Sequence, residues 1–148
     1  MENTEEVINN DDKLLALFSH LSIVIGGILV PIIIWAIKKN QSKFVRFHAL
    51  QAIFYHIIYS VIAGFVIAIL MIVFFGSMGF QFSSRYAHHD SPPVFLVIFM
   101  FILIGIVTLM ILAAIAYGIY LAVKSYGGDK TKIPVIGKII YERVYGNV

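Results

Sequence analysis

Residues 47–84 read FHALQAIFYHIIYSVIAGFVIAILMIVFFGSMGFQFSS, a run of 38 residues without Asp, Glu, Lys or Arg. Two further runs share this property: residues 14–37, with 24 residues, and residues 91–123, with 33. A helix needs about 20 mostly apolar residues to cross the roughly 30 Å hydrocarbon core of a bilayer. Each run is long enough for a crossing, so the sequence predicts an all-α, polytopic membrane protein.

Composition excludes a soluble domain. Hydrophobic residues make up 60% of the 148 residues and charged residues 13%, whereas about a quarter of a typical soluble domain is charged. The chain has no cysteine, so it has neither a disulfide framework nor a cysteine-based metal site.

We predict three transmembrane helices, with interfacial segments at the inner face. The second span is expected at about residues 52–75, after an interfacial segment and before an irregular outer connection rich in Gly, Ser and Pro. The third is expected at about residues 94–122, ended by Gly127 and Gly128. The predicted domains are an acidic N-terminal tail (1–13), a three-span membrane domain (14–123) and an amphipathic C-terminal tail (124–148), with the interfacial segment at 44–51 and the outer connection at 76–93.

Positive charge predicts the orientation, because cytoplasmic loops carry an excess of Lys and Arg. Nine of the eleven Lys and Arg residues lie in the first connection or the C-terminal tail. With three spans these segments share one side, so we expect the N-terminus outside and the C-terminus in the cytoplasm, in a bacterial inner membrane. The net charge of +3 then indicates attraction to anionic lipid headgroups at the inner face, and no nucleic-acid partner.

The first span contains a candidate hinge at Gly26, Gly27 and Pro31. Proline removes a backbone donor and should kink the helix just after the two glycines. The alternative is that these residues have no special role, since glycine and proline are common in membrane helices. Trp35, followed by Lys38 and Lys39, fits an anchor at the inner interface.

Two ladders of small residues predict close helix packing. Residues four apart share a helix face, and small side chains there let two backbones approach closely in lipid. Intramolecular packing of the second and third helices is one reading, and self-association of subunits or chance are the others. The ladders are Ser60, Gly64 and Ala68 in the second span, and Ala114, Gly118 and Ala122 in the third.

The second span opens with a polar stripe formed by His48, Gln51, Tyr55 and Tyr59. These four side chains fall within about 80° of arc at 100° per residue. They are either the wall of a polar groove or docking face, or a structural set in which His48 and Gln51 lie in the headgroup layer and the tyrosines hydrogen-bond to neighbouring helices.

The segment FVRFHALQA, residues 44–52, resembles a motif of bacterial membrane proteins related to the twenty-kilodalton component of the chloroplast inner-envelope protein translocon. ALFSHLS at residues 16–22 and IPVIG at residues 133–137 also match. The resemblance covers nearly the whole chain except the N-terminal tail and the outer connection. It implies a four-span alternative and a possible link to protein translocation, while most bacterial members have no assigned activity.

The topology argues against catalysis and cofactors. Our three-span arrangement places His20, His88 and His89 outside but His48 and His56 inside, so they cannot form one metal site. No span holds a carboxylate or a lysine, which disfavours a proton-coupled transporter. No nucleophile elbow, metalloprotease motif or phosphate-binding loop is present. We therefore expect no catalytic residue, no metal and no cofactor.

The C-terminal tail predicts a short amphipathic helix, with Ile136, Ile139, Ile140 and Val144 at helical spacing. It can lie on the membrane, pack on the inner ends of the spans or bind a partner. The functional hypothesis is a non-enzymatic assembly or scaffold component, whose partners are the lipid bilayer and itself or another membrane protein. The alternative is a subunit of an oligomeric channel or protein translocon.

Overall fold

The computed structural model describes residues 8–25, 27–85 and 94–146, and these residues form five α-helices. The all-α prediction is confirmed. Two of the helices contain segments that are long and apolar enough to cross a membrane, Lys43–Gly76 and Val97–Tyr126. The helices are α1 (Asn10–Ile25), α2 (Leu29–Lys38), α3 (Lys43–Arg85), α4 (Val94–Tyr126) and α5 (Ile136–Tyr145).

The predicted first span, residues 14–37, is not one helix, because the chain forms the two short helices α1 and α2 there. These helices pack against each other. Lys38 Nζ, at the end of α2, lies 3.9 Å from Asp12 Oδ1, near the start of α1. In one straight helix these residues would stand about 39 Å apart. The pair is therefore antiparallel, and a count of three spanning helices is not confirmed.

The predicted hinge is the point where the chain reverses. Gly27 has a φ of 58°, a left-handed conformation that favours glycine, and its N–H donates to Ser22 O at 2.7 Å. Pro31 is the third residue of α2, where a backbone N–H would have no intrahelical acceptor. The proline is thus tolerated in the first turn of α2, and it does not kink a continuous helix over residues 14–37 as predicted. Gly26 lies outside the described residues.

Helix α3 is longer than expected at both ends. It already includes the segment predicted as an interfacial lead-in, and it continues to Arg85 through the first part of the predicted irregular connection. Gly76 and Gly79 each weaken a helix by about 1 kcal/mol, but helical hydrogen bonding satisfies every backbone group where water is scarce. The remainder of the predicted connection, residues 86–93, lies outside the described part of the chain.

Helix α4 ends where the sequence predicts. Gly128 has a φ of 87°. Its N–H donates to Ser125 O at 3.0 Å, and the N–H of Asp129 donates to Lys124 O at 3.1 Å. This pair of bonds is the Schellman arrangement, which satisfies the last helical carbonyls around a left-handed residue.

The chain divides into two compact units. The first, called the platform below, joins the chain up to Ile58 with the chain from Ala114 onward; it contains α1, α2, α5, the start of α3 and the end of α4. The second runs from Tyr59 to Ala113 and contains the rest of α3 and α4, which line an apolar cavity of about 280 Å³. Many large apolar side chains of the second unit are exposed, including Phe65 and Ile72.

Candidate functional site: the polar core of the platform

The segment that carries the sequence motif, residues 44–52, is enclosed by protein. Seven of its nine side chains are at most 1% exposed. On one side Val45 and Ala49 pack with Ile34 of α2, and on another Phe47 packs with Ile140 and Val144 of α5. Because this part of α3 is covered on several sides, few of its positions can change without disturbing a contact. The seven buried residues are Phe44, Val45, Phe47, His48, Ala49, Gln51 and Ala52.

Two buried histidines meet inside this core. His20 Nε2 lies 3.1 Å from His48 Nδ1, and the side chains are 3% and 1% exposed. One of the two nitrogens must carry the proton that the other accepts. The prediction that the membrane separates His20 from His48 is wrong, because α1 does not continue into α2 as a single span and instead packs beside α3.

A second polar contact joins α1 to α3 about two turns further along α3. Ser22 Oγ donates to Ser19 O at 2.7 Å and lies 2.9 Å from Nε2 of His56. A hydroxyl has one proton, so His56 Nε2–H must donate to the Ser22 oxygen. Because both partners are buried, losing one side chain would leave the other without its hydrogen bond.

Gln51 connects α3 to the segment before α5. Its Nε2 donates to Thr131 O at 3.1 Å, and its Oε1 accepts from the Ile133 N–H at 2.7 Å. The amide group thus pairs with the backbone much as a neighbouring strand would. Gly137 lies beside it, where an added Cβ would stand 2.7 Å from Gln51 Oε1 and 2.8 Å from the Lys132 backbone. The contact therefore requires both a glutamine and a glycine.

The polar stripe predicted from the sequence is mostly occupied by contacts within the protein. His48 and Gln51 have the partners given above, and the Tyr55 hydroxyl donates to Ala114 O at 3.1 Å. Tyr59 is half-buried. The Tyr55 bond agrees with the structural interpretation of the stripe, whereas His48 and Gln51 are enclosed by protein and do not lie in the headgroup layer.

The two small-residue ladders differ in their surroundings. In the third-span ladder Ala114, Gly118 and Ala122 are buried, and a Cβ on Gly118 would stand 2.7 Å from Ile23 Cγ2 and 3.5 Å from His20 O. Gly118 of that ladder therefore lies against α1, whereas the Ala114 carbonyl faces Tyr55 of α3. In the second-span ladder Ser60, Gly64 and Ala68 are exposed, and a Cβ on Gly64 would meet no described atom within 4 Å. Close packing of Gly64 is thus not found within the described chain.

The polar core offers hydrogen bonds between helices, and between α3 and the segment before α5. Within residues 8–25, 27–85 and 94–146, no three His, Asp or Glu side chains are placed to hold a metal ion. Sequence reasoning overlooked the polar residues of α1 as partners for α3. Ser19, His20 and Ser22 interrupt an otherwise apolar run, and this signal could have identified the buried face of α1.

A comparison with models of protein families matches residues 11–140 to the magnetosome magnetite crystal formation protein family. The predicted resemblance to the chloroplast translocon component is wrong, because the matching family is a different one. The translocon alternative for this chain has no support. No curated protein and no solved structure matches the chain.

The matched residues include α1 from its second residue, all of α2 to α4 and the first half of α5, so they contain the polar core described above. Most of the chain is therefore described by one family model. The chain belongs to the magnetosome magnetite crystal formation (MamF/MmsF) protein family.

Proposed function

We propose that the chain is a non-enzymatic membrane scaffold that acts in magnetite crystal formation at the magnetosome membrane. The observation that carries this proposal is the family match over residues 11–140. The family is described by crystal formation and not by a chemical reaction. A scaffold also agrees with a polar core whose groups bind one another.

Exposed apolar surface supports a membrane location. Side chains such as Phe65, Ile72, Phe101 and Leu109 are between 67% and 71% exposed, and they lie on the two helices that can span a bilayer. Soluble proteins rarely expose such continuous apolar surface, whereas hydrocarbon solvates it well. We place α3 and α4 across the membrane.

The α1–α2 pair supports a topology different from the three-span expectation. We propose that this pair enters the bilayer and returns to the side from which it came. The N-terminus, the α2–α3 turn and the C-terminal segment then share one side. Ten of the eleven Lys and Arg residues, all except Arg85, fall on that side, which the positive-inside rule assigns to the cytoplasm.

The exposed ladder supports self-assembly. Ser60, Gly64 and Ala68 present small side chains on one face of α3, with room beside Gly64. In lipid such a face lets a second helix approach closely. We propose that another copy of this chain, or another membrane protein, packs there.

Complementation tests the proposed function. The chain is expressed in a magnetite-forming bacterium that lacks its own family member, and crystal size is measured by electron microscopy. We expect the chain to fractionate with magnetite-bearing vesicles and to restore crystal size, whereas a Gln51→Leu variant with a weakened platform should restore it less. Unchanged crystals, despite correct insertion of the wild-type chain, would contradict the proposal.

A further inference from the structure

A groove lies on the platform between α2, α3 and α5. Its volume is about 460 Å³, within the range of small-molecule sites. Arg46 and Arg143 line it from two different helices, and Trp35 lines it from a third. The buried polar core described above contributes none of these three side chains.

The charges of the groove are positive and uncompensated. Neither Arg46 nor Arg143 has an ion-pair partner among the described residues. Lys39 adds a third cation beside the groove, with its Nζ 5.0 Å from the centre of the Trp35 ring. Guanidinium groups bind phosphate through paired, charge-assisted hydrogen bonds, so this end of the groove suits an anion with phosphate oxygens.

The lining of the groove becomes apolar with distance from Arg46 along α3. Arg46, Leu50 and Phe54 lie four residues apart on one face of α3, so the face changes from cationic to apolar over about 12 Å. Phe54 and Ile139 are 44% and 61% exposed. A ligand that fits this gradient carries a negative headgroup followed directly by hydrocarbon.

We propose that this groove binds one anionic phospholipid, with its phosphate between Arg46 and Arg143 and the first part of an acyl chain along Leu50, Phe54 and Ile139. The proposal rests on the proposed function in one respect, the position of the platform at the membrane surface. Beyond the proposed function, this proposal adds a specific lipid site, which lies where α5 packs over the start of α3. A free phosphate would use the charges but not the apolar wall.

Trp35 is the single tryptophan of the chain, so its fluorescence reports on the groove. The full chain is reconstituted in phosphatidylcholine vesicles that contain increasing fractions of phosphatidylglycerol, with bromine on the acyl chains of either lipid as a quencher. We expect brominated phosphatidylglycerol to quench Trp35 at a mole fraction about fivefold or more below that of brominated phosphatidylcholine. Each basic residue near an anionic lipid contributes about 1 kcal/mol of attraction, which corresponds to about a fivefold change in binding.

Four single variants test whether the preference for phosphatidylglycerol over phosphatidylcholine depends on the arginines of the groove. Arg46→Gln and Arg143→Gln should each lower it about fivefold. Lys43→Gln, at the exposed start of α3, and Lys138→Gln, on α5 but lining a different depression, are matched controls that should leave it unchanged. Equal losses in the controls would mean diffuse attraction to the surface and would overturn the site.

Other outcomes separate the possible failures. Equal quenching by the two lipids would leave the membrane position intact and overturn the lipid site. Absence of quenching by either lipid would overturn both. If inorganic phosphate in phosphatidylcholine vesicles changes Trp35 fluorescence in an Arg46-dependent manner, the occupant is free phosphate and the lipid proposal fails. Should one arginine variant unfold, the other arginine variant, compared with the two lysine controls, still decides between the groove and diffuse attraction.

Discussion

Gln51 shows how one side chain can hold two distant parts of the chain together. Its amide satisfies the Thr131 carbonyl and the Ile133 N–H, 80 and 82 residues further along. Both Gln51 and Ile133 are buried, so water cannot readily replace the bond between them. A buried backbone group left without a partner costs about 1–3 kcal/mol.

Gln51→Leu should therefore loosen the segment before α5. The substitution preserves size but leaves the Thr131 carbonyl and the Ile133 N–H unpaired, and we expect a loss of about 2 kcal/mol or more in local stability. Amide hydrogen exchange over residues 129–146 measures the effect. Gln41→Leu, at an exposed position of the α2–α3 turn, is the control. Equal protection of the segment in both variants would show that Gln51 does not hold it.

Gly118→Leu should lower the thermal stability of the purified protein. The new side chain would begin 2.7 Å from Ile23 Cγ2, with the His20 carbonyl behind it, and overpacking of this kind typically costs about 1–3 kcal/mol. Gly105→Leu, on the same helix, is the matched control because a Cβ there meets no described atom within 4 Å. A Gly118 variant as stable as the Gly105 variant would contradict the packing of Gly118 against α1.

The sequence identified the polar residues of α3 but not their partners. Helical spacing relates His48, Gln51 and Tyr55 because neighbours on one helix face follow a fixed period. Helical spacing carries no information about His20, which precedes its partner His48 by 28 residues. Partners at that distance follow from the path of the chain between them, and our prediction of that path was wrong at Gly27.

At the scale of elements, hydropathy identifies α4 well and the α1–α2 pair poorly. The third run has apolar residues throughout and a glycine pair at its end, so both its length and its end could be predicted. A run of 24 uncharged residues can equally form one long helix or two short packed ones. The choice depends on Gly27 at the reversal and on contacts such as Asp12 with Lys38, which composition does not encode.

The turn before α5 predicts an unusual substitution effect. Val135 has a φ of 67° and a ψ of −65°, and the Ile136 N–H donates to Pro134 O at 2.8 Å, which is a strained γ-turn for a branched residue. Val135 is 79% exposed, so Val135→Gly removes little packing.

We expect this variant to be as stable as the wild type or slightly more stable. Relief of about 1–2 kcal/mol of backbone strain offsets the greater freedom of glycine in the unfolded chain. Thermal unfolding in detergent is the measurement. Val123→Gly, at an exposed helical position of α4, should instead lose about 0.5 kcal/mol, the difference in helix propensity between valine and glycine. A loss of the same size at Val135 would contradict the strained turn.

For the whole molecule, the arrangement of charge follows from the antiparallel α1–α2 pair. With the N-terminal end of α1 beside the end of α2, Lys13 joins the basic residues of the first connection. Our three-span prediction leaves two basic residues on the outer side, whereas the proposed topology leaves Arg85 alone there. The agreement with the positive-inside rule is therefore better for two spans and a returning pair.

Labelling of single cysteines in sealed vesicles tests this topology most directly, because the chain has no cysteine of its own. Cysteines replace Asn10, Gln41 and Asp129, which are exposed, and Ser84 serves as the reference for the far end of α3. An impermeant reagent should label the first three from one face and the fourth from the other. If Asn10→Cys instead labels from the same face as Ser84→Cys, then α1 and α2 together cross the membrane, and the returning pair is wrong.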